Sequence, residues 1–566
     1  MVQSRLIVGQ FRPKRSYRTG SLITMDAKKT FHRHPQQPGN DPTLTIRHSA
    51  RLEKKVSAAT RILEFHTLFP ARELRRHFTL FLGPTNSGKT YQALKILADA
   101  RSGSYLAPLR LLALEVADTL NGWGVPCHMV TGEERIEVDG ALHSARTIEM
   151  MSTHLRQEVC VIDEAQMLGD ADRGWAWTQA ILGARAEQVC VIGAPEARPA
   201  IEKLLRLTEE PYQVINLERL APLQSLPAPI MKFHALEPGT ALVAFSRAAV
   251  LGLKESVEQQ TGARAAVLYG ALPPEVRRQQ AELFASGQAP YLVATDAIGM
   301  GLNLPIRTLL FAEDQKFIDR RKHPLTPMEV RQIAGRAGRY GKNEVGFVGT
   351  FRIADDHIQA ALQTAPHLIH RAHLAPNLDH LLALVALQRA DKKPSLARLL
   401  LLFAQAVKPD PHVYEVAALE DQIFLAQITD RYPNLEMEIR FVLANAPVPL
   451  RALTAVLAFE RMVRSVAHNR LLTLDEIVPL LDESLPISLD MLETATRVVD
   501  LYCWLHYRFP EQFPELELAQ ERRRLINRDI SRLLRQTAKA PVVPPPREKR
   551  PPLRRYDRRP RRQRSS

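Results

Sequence analysis

An apolar run, Phe78-Thr79-Leu80-Phe81-Leu82, leads straight into Gly83-Pro84-Thr85-Asn86-Ser87-Gly88-Lys89-Thr90 and then into an amphipathic stretch. No other feature limits the fold so narrowly. A G-x-x-x-x-G-K-[ST] loop works where a buried strand stops and a helix starts, because backbone N–H groups at the helix N-terminus must point at phosphate oxygens. It therefore calls for a parallel sheet with the loop at the C-terminal edge of a strand. Gly83, Pro84, Thr85, Asn86, Ser87 and Gly88 form the cradle, Lys89 is placed to contact β- and γ-phosphates, and Thr90 to ligate Mg²⁺.

The surrounding pattern agrees. Short apolar runs at 78–82, 104–107, 146–149, 159–163 and 188–193 alternate with longer amphipathic stretches, as in a parallel sheet covered on both faces. The alternation restarts at 240–245, 265–269, 291–295, 308–311 and 346–350, which predicts a second α/β layer. Beyond about 355 strand signals give way to Leu/Ala-rich helical periodicity broken at prolines. The expected organisation is a basic, mostly disordered arm (1–50), a helical lead-in (51–75), a nucleotide-binding α/β domain (76–222), a second α/β domain (223–355), a helical region (356–538) and a basic disordered tail (539–566).

Other motifs fall at expected strand ends. The run 159–163 ends in Asp163-Glu164-Ala165-Gln166, which puts Asp163 at the ligand edge of the sheet as a second Mg²⁺ ligand. Glu164 is then the base for an attacking water, and Gln166 a γ-phosphate sensor or a link to the second domain. Gly193, after the next strand, is a coupling turn. Arg110, Thr131 and Thr153 open comparable loops and are candidate phosphate contacts to a nucleic-acid strand, although caps and surface residues read equally well.

In the second α/β layer, Ser246 and Arg247 end one strand and Thr295 and Asp296 another. Ser246, Arg247 and Thr295 are candidate strand contacts, Asp296 a coupling residue, and Gly301 permits close backbone approach to nucleotide. Then come Gln332-Ile333-Ala334-Gly335-Arg336-Ala337-Gly338-Arg339. On a helix Gln332, Arg336 and Arg339 share one face at i, i+4 and i+7, a fork suited to phosphate oxygens. Arg336 and Arg339 are expected to reach across a cleft to the γ-phosphate, with Gln332 beside them.

GPTNSGKT, APLRLLA, DEAQ, ATDAIGMGLNL and QIAGRAGR, in this order, resemble a superfamily 2 helicase. More narrowly they are similar to the suppressor-of-Var family, the RNA helicase of the mitochondrial RNA degradosome and its bacterial relatives. Pro324-Leu325-Thr326, and Leu419-Glu420-Asp421 through Leu435-Glu436-Met437-Glu438 to Ala446-Pro447-Val448, extend the likeness over about 76–450. The resemblance implies two tandem RecA-like parallel-sheet domains followed by an all-helical C-terminal region. It also implies NTP- and Mg²⁺-dependent 3′-to-5′ unwinding of RNA, with DNA and RNA–DNA hybrids as further substrates and a ribonuclease as a partner; a monomer is expected. Two other classes share parts of this pattern. A nucleoside kinase has such a loop but needs one α/β domain, and an RNA-stimulated NTPase clamp hydrolyses without unwinding.

No apolar run is long enough to span a membrane, and the hydrophobic core of a secretory signal is missing from the N-terminus. The Ala/Leu/Arg-rich composition and the short stretch before the first sheet favour a bacterial cytoplasm; the Arg-rich, acid-poor beginning keeps the mitochondrial matrix as the alternative. Cys127, Cys160, Cys190 and Cys503 are widely spaced, which excludes a CxxC zinc site and fits buried thiols. The net charge of +15 is concentrated at the ends: 541–566 holds ten Lys/Arg against Glu548 and Asp557, and the first 40 residues hold eight against Asp26. Such ends suit a polyanion. Deleting 541–566 should weaken RNA binding and flatten the slope of log affinity against log salt; an unchanged slope in a filter-binding titration would show that the tail makes no phosphate contacts.

Overall fold

The computed structural model describes residues 49–299, 304–318, 321–338, 345–387, 394–478 and 487–536. They belong to the larger of two compact units; the smaller, Met1–Arg47, lies outside the described residues.

The first sheet contains β1 (His77–Leu82), β2 (Gly103–Ala107), β3 (Cys127–Val130), β4 (Arg135–Ile136), β5 (His143–Thr147), β6 (Gln157–Ile162), β7 (Ala186–Gly193) and β8 (Tyr212–Asn216), in the spatial order β4-β3-β5-β2-β6-β7-β1-β8. Every pairing is parallel except β3 with β4. The central strands are apolar on both faces because helices cover both sides, so β1 and β6 are buried along almost their whole length. The consequence for function is positional. β6, β7 and β1 are neighbours, so the chain leaving each of them emerges at one edge: Asp163 after β6, Gly193 at the end of β7 and Gly83 after β1.

The second sheet is built from β9 (Leu223–Ser225), β10 (Thr240–Val243), β11 (Ala265–Leu268), β12 (Tyr291–Ala294), β13 (Thr308–Phe311) and β16 (Gly346–Thr350), ordered β11-β12-β10-β13-β16-β9 and parallel throughout. A separate antiparallel hairpin, β14 (Gln315–Ile318) with β15 (Arg321–Pro324), stands beside it. The C-terminal region is helical, with one addition: β17 (Ala372–Leu374) and β18 (Tyr414–Val416) form a short parallel ribbon. At three residues each they carry too little periodicity to be read from sequence. The long helices Leu489–His506 and Leu516–Gln536 pack against each other. The lead-in expected as one helix is broken: the α-helix Ala50–Thr60 stops at Arg61, whose φ of 51° is left-handed, and 3₁₀ turns Ile62–Thr67 and Pro70–Glu73 follow. Strands β3, β4, β8 and β9, short or half exposed, escaped the sequence pattern.

The first sheet is tied at its base by a buried ion pair. Arg76 donates from Nε and Nη2 to both oxygens of Glu210, at 2.5 and 2.6 Å, and from Nη1 to the Ala184 carbonyl at 2.8 Å. Arg76 is fully enclosed and Glu210 nearly so, so removing one partner leaves a buried charge without its counter-charge. Glu210→Ala is expected to lower unfolding stability by about 3 kcal/mol, read as a fall in the urea midpoint; a midpoint unchanged from that of the parent would show that the pair contributes nothing net.

Candidate active site

The turn after β1 has the geometry of an anion cradle. The Gly83 N–H bonds the Gly193 carbonyl at 3.1 Å, joining the β1 and β7 turns. A Cβ on Gly83 would meet the Leu217 carbonyl oxygen at 2.4 Å, so a side chain has no room there. Asn86 (φ 64°) and Gly88 (φ 78°) turn left-handed, aiming successive N–H groups into the loop before the helix Lys89–Asp99 begins. Lys89 Nζ donates to the carbonyls of Gly83 (2.7 Å) and Pro84 (2.6 Å). Burial pulls its ammonium below the ordinary lysine value, and the charges of Glu164 and Asp163 oppose that pull.

Asp163 follows β6 and is 4% exposed. The Tyr105 hydroxyl donates to one carboxylate oxygen, and the Glu164 N–H to the other at 2.7 Å. The Trp177 indole N–H bonds the Asp163 carbonyl at 2.7 Å, so the backbone is held as well. Burial first, and the Glu164 charge second, push the Asp163 carboxyl well above the usual carboxylate range. Glu164 has a left-handed φ of 53°, a strained conformation for a residue with a side chain. Gln166 donates its amide to the Glu164 carboxylate and accepts the Ala194 N–H at 3.0 Å, which joins the β6 turn to the β7 turn. A nest of N–H groups, a lysine, a hydroxyl at Thr90 and a buried carboxylate form a hard-oxygen and cationic set that fits a nucleoside triphosphate with Mg²⁺. A cation at Thr90 and Asp163 would offset the repulsion between the two carboxylates.

The second sheet delivers a guanidinium to the same place. The helix Pro327–Ala334 opens with a capping box between Thr326 and Glu329 and closes at Gly335, whose N–H bonds the Arg331 carbonyl at 2.8 Å. The helical face expected through Gln332, Arg336 and Arg339 is therefore corrected. Gln332 sits in the last helical turn and Arg336 in the turn beyond it; Arg339 and Gly301 lie outside the described residues. Gly335 and the left-handed Gly338 (φ 75°) end the helix early. The close approach expected of these glycines is present in another form: a Cβ on Gly335 would lie 3.0 Å from Thr85 Cβ, so the phosphate loop and the Arg336 turn touch. Asn86 donates its side-chain amide to the Gly338 carbonyl. Arg336 donates from Nε to the Gly299 carbonyl at 3.1 Å, and a Cβ built on Gly299 would lie 3.7 Å from Gln332 Cγ. Burial lowers the Arg336 value, and the charges of Glu164, Asp163 and Glu115 oppose that fall.

Arg219 was not singled out from sequence. It lies between the two sheets and donates to Ala221 (2.6 Å), Thr85 (3.1 Å), Gly335 (2.8 Å) and Ala337, all through backbone carbonyls. Its partners are peptide groups of both domains, and no motif announces such a contact.

The expected nucleic-acid contacts fare differently. Arg110 is engaged by Glu134, by Glu275 at 2.7 Å and by Asp500 at 3.8 Å, and Arg523 bonds Glu134 (3.0 Å) and Asp500 (3.2 Å). This buried cluster joins both α/β domains to the C-terminal helices and engages the Arg110 guanidinium with three carboxylates. Thr131 is buried, and its hydroxyl bonds within its own turn to Glu134. Beside it a Cβ on Gly132 would meet the Trp504 ring at 2.9 Å, so a C-terminal helix covers this turn. Thr153 packs its methyl against Gly183, just before β7, at the opposite edge of the sheet from Asp163. Ser246 caps the helix Arg247–Thr261, and Arg247 pairs with Asp490 (3.0 Å) and Glu493 (3.3 Å). Thr295 is buried and accepts the Ala297 N–H at 3.2 Å, while Asp296 stays exposed on its 3₁₀ turn. The polar groups of Arg110, Thr131, Ser246, Arg247 and Thr295 are thus engaged by protein.

Comparison with known proteins gives a consistent result. The model of the DEXQ-box helicase domain of Suv3 matches residues 66–217, the helicase conserved C-terminal domain matches 226–341, and the ATP-dependent RNA helicase SUV3 C-terminal domain matches 489–536. The chain is 37% identical over 483 residues to the mitochondrial ATP-dependent RNA helicase SUV3 of Oryza sativa subsp. japonica, covering 83% of this chain and 82% of that protein. It is 35% identical to the mitochondrial DExH-box ATP-dependent RNA helicase DExH16 of Arabidopsis thaliana (83% of each chain) and 33% identical to mitochondrial SUV3 of Saccharomyces cerevisiae (80% of this chain, 64% of that one). These relatives are all named as mitochondrial, which corrects the expectation of a bacterial cytoplasm.

The cluster around Arg110 yields a direct check. Arg110→Ala leaves Glu134, Glu275 and Asp500 with one guanidinium fewer, and is expected to cost about 3 kcal/mol of stability, seen as a lower thermal midpoint, with RNA affinity changed less than twofold. A large loss of RNA affinity at unchanged midpoint would show that Arg110 contacts the strand.

Proposed function

The chain belongs to the Suv3 family of ATP-dependent RNA helicases, and on that premise we propose which residues run its NTP hydrolysis and which way it moves. It is an NTP-dependent RNA helicase; the residue roles, the metal and the direction are our own reading. The supporting observation is the convergence of two domains. The phosphate loop at Gly83–Thr90 and the Arg336 turn touch at Thr85 and Gly335, and the charges of Asp163 and Glu164 act on both Lys89 and Arg336.

Lys89 exchanges its bonds to the Gly83 and Pro84 carbonyls for the β- and γ-phosphate oxygens. Glu164 orients the attacking water and takes its proton, with Gln166 holding that carboxylate in place. Arg336 crosses from the second domain to the charge that develops on the γ-phosphate, with Gln332 beside it and Arg339 completing the group. A magnesium ion held by Thr90 and Asp163 would neutralise the β- and γ-phosphate oxygens when bound. Because Arg336 comes from the second domain and Lys89 and Glu164 from the first, hydrolysis is coupled to the contact between the two domains. Gly193 and Asp296 stand at the turns that carry this coupling. The strand runs across the C-terminal edges of both sheets, and movement is 3′ to 5′ on RNA, with DNA and hybrids as further substrates, a monomer as the working form and a ribonuclease as a partner.

Arg336→Ala should lower RNA-stimulated ATP turnover by about a thousandfold while nucleotide affinity stays near that of the parent; near-parental turnover would refute the role of Arg336. Lys89→Ala should lose both binding and turnover. In strand displacement, duplexes with a 3′ tail should be released and those with a 5′ tail should not. The reverse preference would overturn the direction.

A further inference from the structure

The 3₁₀ turn Pro195–Ala197 follows β7 at the edge that carries the phosphate loop. Its Glu196 is 8% exposed, and its backbone carbonyl accepts the Ile369 N–H at 2.9 Å. One carboxylate oxygen, Oε2, is buried without a hydrogen-bond partner. Opposite it, from the second domain, comes Arg331 in the last turn of the helix Pro327–Ala334. Arg331 Nη1 donates to the Thr364 carbonyl, but Nε and Nη2 are buried and unpartnered. Arg331 Nη2 and Glu196 Oε1 stand 4.0 Å apart. A guanidinium and a carboxylate, each with orphaned polar atoms, thus face each other across the domain cleft just beyond bonding range.

Leaving such groups unmade is costly, and a charge-assisted pair closes at about 2.7–2.9 Å. An approach of roughly 1 Å would engage the orphaned atoms in a two-point contact. Both ends of that contact lead into the site. Ala194, two residues before Glu196, bonds Gln166, which holds the Glu164 carboxylate. On the other side the Arg331 carbonyl accepts the Gly335 N–H, the bond that starts the turn bearing Arg336.

We propose that Glu196 and Arg331 are positioning residues for NTP hydrolysis: their pairing on domain closure aligns the Arg336 turn of the second domain with Glu164 of the first. Neither residue belongs to the phosphate loop or to the Asp163–Glu164 pair. The pair rests on the reading of Arg336 and Glu164 given above, and it is separable from that reading because charge reversal tests the pair alone.

The experiment measures RNA-stimulated ATP turnover in the full chain for Glu196→Gln, Arg331→Gln and the reversed pair Glu196→Arg with Arg331→Glu. Each single change should lower kcat about tenfold with KM for ATP within about twofold, and the reversed pair should recover at least about half of the parental kcat. Should Glu196→Gln fail to fold, Glu196→Asp, which shortens the reach by one methylene, is expected to lower kcat in the same way and is read in its place. Single variants with parental kcat, a loss expressed in KM alone, or a reversed pair no better than the singles would each overturn the proposal. Lys89→Ala run alongside reports on the phosphate-loop reading: retained turnover there refutes that reading whatever the pair does.

Discussion

Everything at this site depends on one close approach, that of Gly335 to Thr85. A Cβ at position 335 would sit 3.0 Å from the threonine side chain, so a glycine lets the second domain rest its arginine turn on the phosphate loop without displacing Thr85. With that contact go the Asn86 bond to Gly338, the bonds from Arg219 to both loops and the Arg336 bond to the Gly299 carbonyl. Two sheets that share no strand thereby contribute to a single cluster of charge.

The C-terminal helices act at a distance from the chemistry and still constrain it. Arg523 and Asp500 enter the cluster around Arg110, and Trp504 covers the Gly132 turn. The Arg508 guanidinium stacks 3.5 Å from the centre of the Trp504 ring and so fills the remaining space beside that turn. Both α/β domains are thereby fastened to a third element, so their relative movement is a change in a shared buried network as well as a hinge opening.

What could be read in the sequence was local. The strand, loop and helix around Gly83–Thr90 are encoded within one continuous segment, His77–Asp99, and Asp163 and Glu164 follow an apolar run that could be recognised without knowing its neighbours. The Gln332–Arg339 segment was legible as chemistry but not as geometry, since Gly335 and Gly338 end the helix before Arg336. The packing around Arg110, Thr131 and Arg247 was illegible for a different reason. A basic or hydroxyl side chain at a strand end is open to ligand only if nothing else packs there, and the groups that pack there, Glu275 and Asp500 on Arg110, Asp490 on Arg247 and Trp504 beside the Thr131 turn, lie more than a hundred residues away. Arg219 and Glu196 carried no signal, because one bonds only peptide carbonyls and the other matters through a residue of the second domain.

The strand order also has a consequence for how the molecule comes into being. β1, the first strand of its sheet to be synthesised, lies between β7 and β8, the last two. Contacts so distant along the chain are slow to form because a long loop must be closed first. The phosphate loop hangs from β1, and its Gly83 is held by Gly193 and crowded by Leu217. During translation the cradle is thus assembled only after the whole first domain has emerged, so a nascent chain acquires its nucleotide site late and all at once.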